Sequence, residues 1–136
     1  MGFDVFGPMR HVRASTVDDG DGSPYDVLAL PNEYGLSCPQ IERLHQRFYD
    51  PTTVRFAAGH VHALRDELVR LGQAHRKRRA PELIVERGVH ANDPQVRHDI
   101  VERILQDDAI YRAMEEFRLL GEEAIAAGAD VQCNGD

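Results

Sequence analysis

The apolar residues of this chain occur in short segments, which are separated by the Gly, Pro and Asp residues that end helices and strands. Some segments alternate between apolar and polar residues as strands do, and others repeat at the three- to four-residue spacing of a helix. With 136 residues the chain has the length of one domain with one hydrophobic core. The sequence therefore predicts a single small α+β domain over residues 1–136.

Short strands are predicted near both ends of the chain and between the helices. Gly2–Phe6 alternates, and residues 27–30 are apolar and are followed by a proline. β-Branched and aromatic residues predict further strands at residues 52–56 and 83–89. Residues 130–133 can form a last strand.

The first two of about four predicted helices lie in the middle of the chain. Ser37 and Gln40 have the spacing of a capping box, and Asp50-Pro51 ends the helix that follows. The second helix closes at Gly72 or shortly beyond, and a basic linker follows it. Its inward positions recur at helical spacing: Val61, Leu64, Leu68 and Leu71.

Two more helices are predicted in the last third of the chain. Asp93 and Pro94 are the N-cap and first residue of one, and Asp107 or Asp108 caps the other, which Gly128 stops. The inward residues of the first are Val96, Ile100 and Ile104, and those of the second are Ile110, Met114, Phe117 and Ala124.

Residues 14–24 are polar and rich in glycine, which predicts a mobile loop within the domain or the tip of a hairpin. Because the strands are few and short, nothing requires a doubly wound sheet. We therefore expect the helices to pack mainly on one face of a mixed or antiparallel sheet.

The composition indicates a cytoplasmic protein. The chain has no apolar run of the length that spans a membrane and no secretory signal at its start. Its two cysteines, Cys38 and Cys133, are typical of a reducing compartment, although the sequence does not show whether they lie close together. Fifteen arginines accompany a single lysine, a bias that indicates a GC-rich bacterial genome.

The net charge of −7 is concentrated near the end of the chain, because residues 99–136 hold ten carboxylates and three arginines. Such a field disfavours nucleic acid and anionic membrane as partners and favours a protein with a basic surface. The basic run at residues 75–79 is explained by the helix that precedes it. The carboxylates predicted to bind the partner are Glu115, Glu116, Glu122 and Glu123.

A metal-dependent hydrolase or metal-binding protein is the alternative function. Its candidate catalytic residues are His90, Asp93, His98 and Asp99, because histidine beside carboxylate serves in acid–base catalysis and in metal sites. The candidate metal ligands are His60, His62, His90 and His98. In a helix, however, His60 and His62 point to nearly opposite sides, which favours solvated histidines.

No nucleophile elbow, phosphate-binding glycine loop or paired-cysteine motif occurs, so the sequence favours a non-enzymatic protein without a cofactor. Cys38 follows the predicted helix start closely, where the helix dipole would lower a thiol pKa, although packing explains such a residue equally well. A small, acidic, motif-free α+β domain has the general profile of the immunity proteins that inhibit toxins. A homodimer is a third hypothesis.

Overall fold

A computed structural model describes residues 2–15, 23–46, 54–88, 90 and 92–135. These residues form four strands and five helices, which confirms the α+β fold with one helix more than predicted. In chain order the elements are β1 (Gly2–Phe6), β2 (His11–Ser15), α1 (Ser23–Tyr34), α2 (Pro39–Gln46), β3 (Val54–Phe56), α3 (Ala58–Glu86), α4 (Pro94–Leu105), α5 (Ala109–Ala127) and β4 (Val131–Gly135).

The four strands form one antiparallel sheet in the order β2-β1-β4-β3. Val5 of β1 lies opposite Val12 on one side and Cys133 on the other, so these three side chains share a face. The neighbouring positions on β1, Asp4 and Phe6, point to the other face and are more exposed. The large apolar side chains of the strands are buried on the first face: Phe3, Val5, Val12, Phe56, Val131 and Cys133.

The loop predicted at residues 14–24 extends too far at both ends, because its first and last residues belong to a strand and a helix. Ala14 and Ser15 belong to β2 and are buried, and Ala14 pairs with Phe3 of β1. Ser23 begins α1, and residues 16–22 lie outside the described residues. Residues 52 and 53 of a predicted strand and the helix end predicted at Asp50-Pro51 also lie outside them.

Helix α1 contains residues 27–30, so the strand predicted there is wrong. Pro31 does not stop the element but lies inside the helix. A proline in a helix removes one backbone hydrogen bond, and burial of the apolar face offsets that loss. Val27, Leu28 and Leu30 are all buried in the core, as is Pro31 itself.

Helix α3 is continuous over 29 residues and passes through both Gly72 and Pro81. The predicted helix end at Gly72 and the predicted basic linker are therefore wrong. The strand predicted at residues 83–89 is also wrong, since residues 83–86 are the last turn of α3 and residue 89 lies outside the described residues.

Side-chain contacts explain why α3 continues so far. Arginine and lysine are good helix formers, so the basic run is compatible with a helix. Arg79 forms ion pairs with Glu82 and Glu86, one and two turns further along. Leu83 is buried in a second apolar cluster, whose other fully buried members are Val101 and Leu105 of α4.

The caps predicted for the last two helices are confirmed. The Asp93 side chain accepts two backbone hydrogen bonds at the start of α4, and the Asp108 side chain accepts one at the start of α5. Gly128 ends α5 with φ of 62°, a left-handed conformation that favours glycine. Met114 and Phe117 are buried, as predicted.

The inward face predicted for α4 is shifted by one residue. Val96 is 47% exposed, and Ile100 and Ile104 are only half-buried. Val101 and Leu105 are buried instead, because α4 packs mainly against the C-terminal part of α3. No described helix is both long and apolar enough to cross a membrane.

The substitution Leu68→Ala should lower the free energy of unfolding by about 2–5 kcal/mol, because Leu68 lies in the core between α3 and α5. The control Val85→Ala, also in α3 but 82% exposed, should change it by less than about 0.5 kcal/mol. Urea unfolding followed by circular dichroism measures both. Equal effects of the two substitutions would contradict the described packing of α3.

Candidate functional site

The glutamates predicted to bind a basic partner lie on α5, and two of them contact the turn between β1 and β2. Arg10, in that turn, forms ion pairs with Glu116 at 3.1 Å and Glu123 at 2.7 Å. The Arg10 guanidinium holds the pKa of Glu123 below its ordinary value. These contacts fasten the β-hairpin to α5.

The other two glutamates also contact arginines of the same chain. Glu115 pairs with Arg118 at 2.7 Å, within α5. Glu122 pairs with Arg65 of α3 at 3.2 Å and lies 3.9 Å from Arg118. A basic partner at this face would therefore compete with ion pairs that the fold already contains.

The predicted metal ligands do not form a metal site among the residues that the structure describes. His60 and His62 are exposed in the first turn of α3, and Val61 between them is buried, as the helical spacing predicts. His90 is exposed beyond the end of α3, and His98 on α4 contacts Arg76. Within the part of the chain that the structure describes, no three His, Cys, Asp or Glu residues could hold one metal ion.

Their carboxylate neighbours have structural contacts. Asp93 caps α4, and Asp99 accepts a hydrogen bond from the side chain of Gln95 one turn earlier in the same helix. The hydrolase hypothesis requires these groups to converge, whereas the described contacts of Asp93 and Asp99 are with residues of α4 itself.

A buried hydrogen-bonded chain that the sequence did not reveal joins three helices. The Tyr34 hydroxyl lies 2.8 Å from Nδ1 of His75, and Nε2 of His75 lies 2.9 Å from Oδ2 of Asp108. The same Asp108 oxygen accepts the backbone N–H of Tyr111 as the cap of α5. A neutral imidazole protonated at Nε2 donates to Asp108 and accepts from Tyr34.

The hydrogen-bonded residues Tyr34, His75 and Asp108 stand in the order of a nucleophile, a base and an orienting carboxylate. Their environment, however, favours a structural role. The His75 side chain is only 8% exposed. Burial raises the pKa of Tyr34, so its hydroxyl keeps its proton, although Arg78 over the ring opposes the shift. We assign the chain Tyr34–His75–Asp108 to holding the ends of α1 and α5 against α3.

The substitution Tyr34→Phe should lower the free energy of unfolding by about 1 kcal/mol, because it removes the partner of His75 Nδ1 and little else. Tyr111→Phe, at another partly buried tyrosine, should cost less. Thermal unfolding of both variants measures the difference. If Tyr34→Phe cost no more than Tyr111→Phe, the buried hydrogen bond would contribute nothing to stability.

The start of α2 is capped by a residue from another helix. The carboxylate of Glu67, in α3, accepts the backbone N–H groups of Gln40 and Ile41 at 2.9 and 3.0 Å. Helix α2 begins as predicted, but the capping role assigned to Ser37 and Gln40 is wrong. Spacing along the chain cannot reveal a cap that comes from a residue 27 positions away.

The environment of Cys38 also differs from the prediction. Cys38 directly precedes α2 and is only 4% exposed, and Arg70 approaches its sulfur at 3.8 Å. Burial, and then the nearby Glu67 carboxylate, raise the pKa of the Cys38 thiol. A raised pKa makes a thiol less reactive, so the packing explanation is favoured. Cys38 and Cys133 are both buried and free of disulfides.

The substitution Glu67→Ala should lower the free energy of unfolding by about 2 kcal/mol or more, because it leaves buried N–H groups without their charged acceptor. Ser37→Ala should change it by less than about 0.5 kcal/mol, because Ser37 is exposed. Chemical denaturation of the two variants measures both. A large loss in Ser37→Ala with none in Glu67→Ala would restore the predicted capping box.

Two surface pockets lie next to each other along α3 and share Arg76 in their linings, and we call them together the α3 groove. One part lies between α3 and α5 and has a volume of about 180 Å³. The other lies between α3 and α4 and has a volume of about 260 Å³. Arg76 borders both parts, and their α3 residues form one stripe from Leu68 to Ile84, roughly 24 Å at a rise of 1.5 Å per residue.

The floor of the α3 groove is apolar and its rim is mainly basic. The floor residues are Leu68, Val69, Ala80, Ile84 and Val101. The ionisable rim residues are Arg76, Arg97, His98, Arg118 and Glu115. Tyr111 also borders the groove, and burial raises its pKa, so its hydroxyl remains a hydrogen-bond donor.

The charges on the rim are not equally satisfied. Arg76 forms an ion pair with Glu102 and a hydrogen bond to His98, and Arg118 pairs with Glu115. Arg97 is exposed and has no carboxylate partner among the residues that the structure describes. The rim therefore keeps an excess of positive charge in a chain whose net charge is −7.

Gly72 lies in the interior of α3 and borders the part of the α3 groove between α3 and α5. Glycine in a helix interior costs about 1 kcal/mol relative to alanine. The backbone of Gly72 does not need glycine, because its φ is not positive. A Cβ atom at this position would meet no neighbouring heavy atom within 4 Å, so the fold itself does not exclude a side chain.

Sequence patterns gave a partial view of this groove. The basic run at residues 75–79 contains Arg76, which borders both parts of the groove. The inward face predicted for α4 included Val96, which is exposed. The sequence does not reveal the groove, because Gly72 predicts a helix end and so assigns the residues of one α3 stripe to different elements.

No family model matches the chain, and no curated protein or solved structure shows significant similarity to it.

Proposed function

We propose that this chain is a small cytoplasmic protein-binding domain that acts by covering part of another protein, as inhibitor and immunity proteins do. The observation that carries the proposal is the α3 groove, with its apolar floor and basic rim. Concave surfaces of this kind, mostly apolar with a few polar groups at the edge, are typical of binding sites.

The basic partner expected from the sequence remains an alternative within this proposal. It is favoured by the carboxylates on α5, of which Glu116 is the most exposed at 54%. Because those carboxylates are paired with Arg10, Arg65 and Arg118, a partner would have to replace existing ion pairs. Arg97, which has no carboxylate partner in the described part of the chain, lies beside an apolar floor and requires no such exchange, so we favour the α3 groove.

The hydrolase alternative has less support. It depends on His90, Asp93, His98 and Asp99 acting together, and two of these residues have helix-stabilising contacts of their own. Its metal-binding version has no cluster of three ligands among the described residues. Homodimer formation remains a hypothesis that sedimentation equilibrium can test, and Val85, 82% exposed, is available for such a contact.

Site-specific photo-crosslinking in cells that naturally produce the protein tests the proposal. A photoreactive residue at Gln73, which borders the α3 groove, should give an adduct with one other protein. The same residue at Glu116 tests the acidic face of α5, and at the exposed Glu33 of α1 it serves as a control.

The adducts distinguish the two surfaces. An adduct at Gln73 that is absent at Glu33 supports binding through the α3 groove. An adduct at Glu116 alone would keep the protein-binding function but move it to α5 and a basic partner. If none of the three positions gave a protein adduct, the proposed function would be wrong.

A further inference from the structure

Gly72 indicates how closely a partner approaches α3. Neither its backbone conformation nor contacts within the fold explain a glycine there. A Cβ at Gly72 would meet no neighbouring heavy atom within 4 Å, and Gly72 borders the part of the groove between α3 and α5. Glycine in such a position lets another backbone come close.

The shape of the α3 groove fits a helix. Its apolar positions lie in two groups, Leu68 and Val69 at one end and Ala80 and Ile84 at the other. Val69 and Ala80 are separated by about three helical turns. An amphipathic helix has an apolar residue on the same face at nearly every turn, so it can place one apolar residue on each group. Gly72 lies about one turn from the first group, and a second helix that crosses α3 there can approach closely because glycine has no side chain.

The charge of the rim determines the chemistry of that helix. Three arginines border the groove. Arg76 pairs with Glu102 and Arg118 pairs with Glu115, so the excess of positive charge in the described part of the chain comes from Arg97. Carboxylates beside the apolar residues of a bound helix would meet this excess of positive charge, and lysines would meet repulsion. Arg97 can form such a pair without giving up another partner in the described part of the chain.

We propose that the α3 groove binds an acidic amphipathic helix of another protein, which crosses α3 at Gly72. This inference rests on the proposed protein-binding function and names the partner's chemistry. The apolar face of the bound helix lies on the floor residues, and a carboxylate of the bound helix lies beside Arg97. Such binding is the helix-in-groove mode of peptide recognition.

A displayed library of helix-forming peptides of about 16 residues, the length of the groove, tests this proposal. Selection against the full chain should enrich peptides with apolar residues at helical spacing and glutamate or aspartate beside them. The enriched peptides are then synthesised, and their affinities for the chain and its variants are measured by fluorescence anisotropy.

The variant Gly72→Leu replaces a glycine in a helix interior at a position where a Cβ meets no heavy atom within 4 Å, so its melting temperature should equal or exceed that of the unmodified chain. Its affinity for the enriched peptides should fall by about tenfold or more, because the new side chain occupies the crossing point. The matched control is Gly59→Leu, since a side chain at Gly59 also meets open space but lies outside the groove. Its affinity should not change.

The variant Arg97→Glu should weaken the binding of acidic peptides, with a larger effect at low salt. Three results would each overturn the proposal: no enrichment, enrichment of basic peptides, or equal affinity for the unmodified chain and Gly72→Leu. Each can occur while crosslinking still detects a partner at Glu116. A failure of the groove proposal is therefore distinguishable from a failure of the protein-binding function.

Discussion

The packing of α3 against α5 forms the centre of the main core, and most of the other elements are positioned by it. Leucines from the first half of α3 meet Met114 and Phe117 of α5 above the buried face of the sheet. Helix α2 is fixed to α3 through Glu67. Helix α1 is joined to α3 and α5 through His75. The second half of α3 extends past this core and supports α4, which creates the α3 groove.

The charge pattern of the sequence changes its meaning once the chain is folded. The sequence shows an acidic last third and a neutral remainder, which indicates an acidic surface. In the structure, arginines from the neutral part meet those carboxylates: Arg10, Arg55, Arg65, Arg76 and Arg79 each pair with an acidic residue beyond position 98. The count of charges along the sequence therefore overestimates the number of carboxylates that are free of ion pairs on the surface.

Local signals predicted the elements that depend on local interactions. Asp93, Asp108 and Gly128 act on neighbouring backbone groups, and the boundaries they predict are confirmed. The predictions at Pro31 and Gly72 were wrong because contacts with distant residues outweigh local preference there. The histidine chain and the groove could not be predicted, since each joins residues from three helices.

The cap that Glu67 provides also makes one helix depend on another. Helix α2 has only eight residues, too few to be stable alone in water, and its first free N–H groups are satisfied only when α3 lies against it. Separation of the two helices would cost the burial of Ile41 and Leu44 and these hydrogen bonds together. The two helices consequently form and unfold as one cooperative unit, although a strand separates them in the sequence.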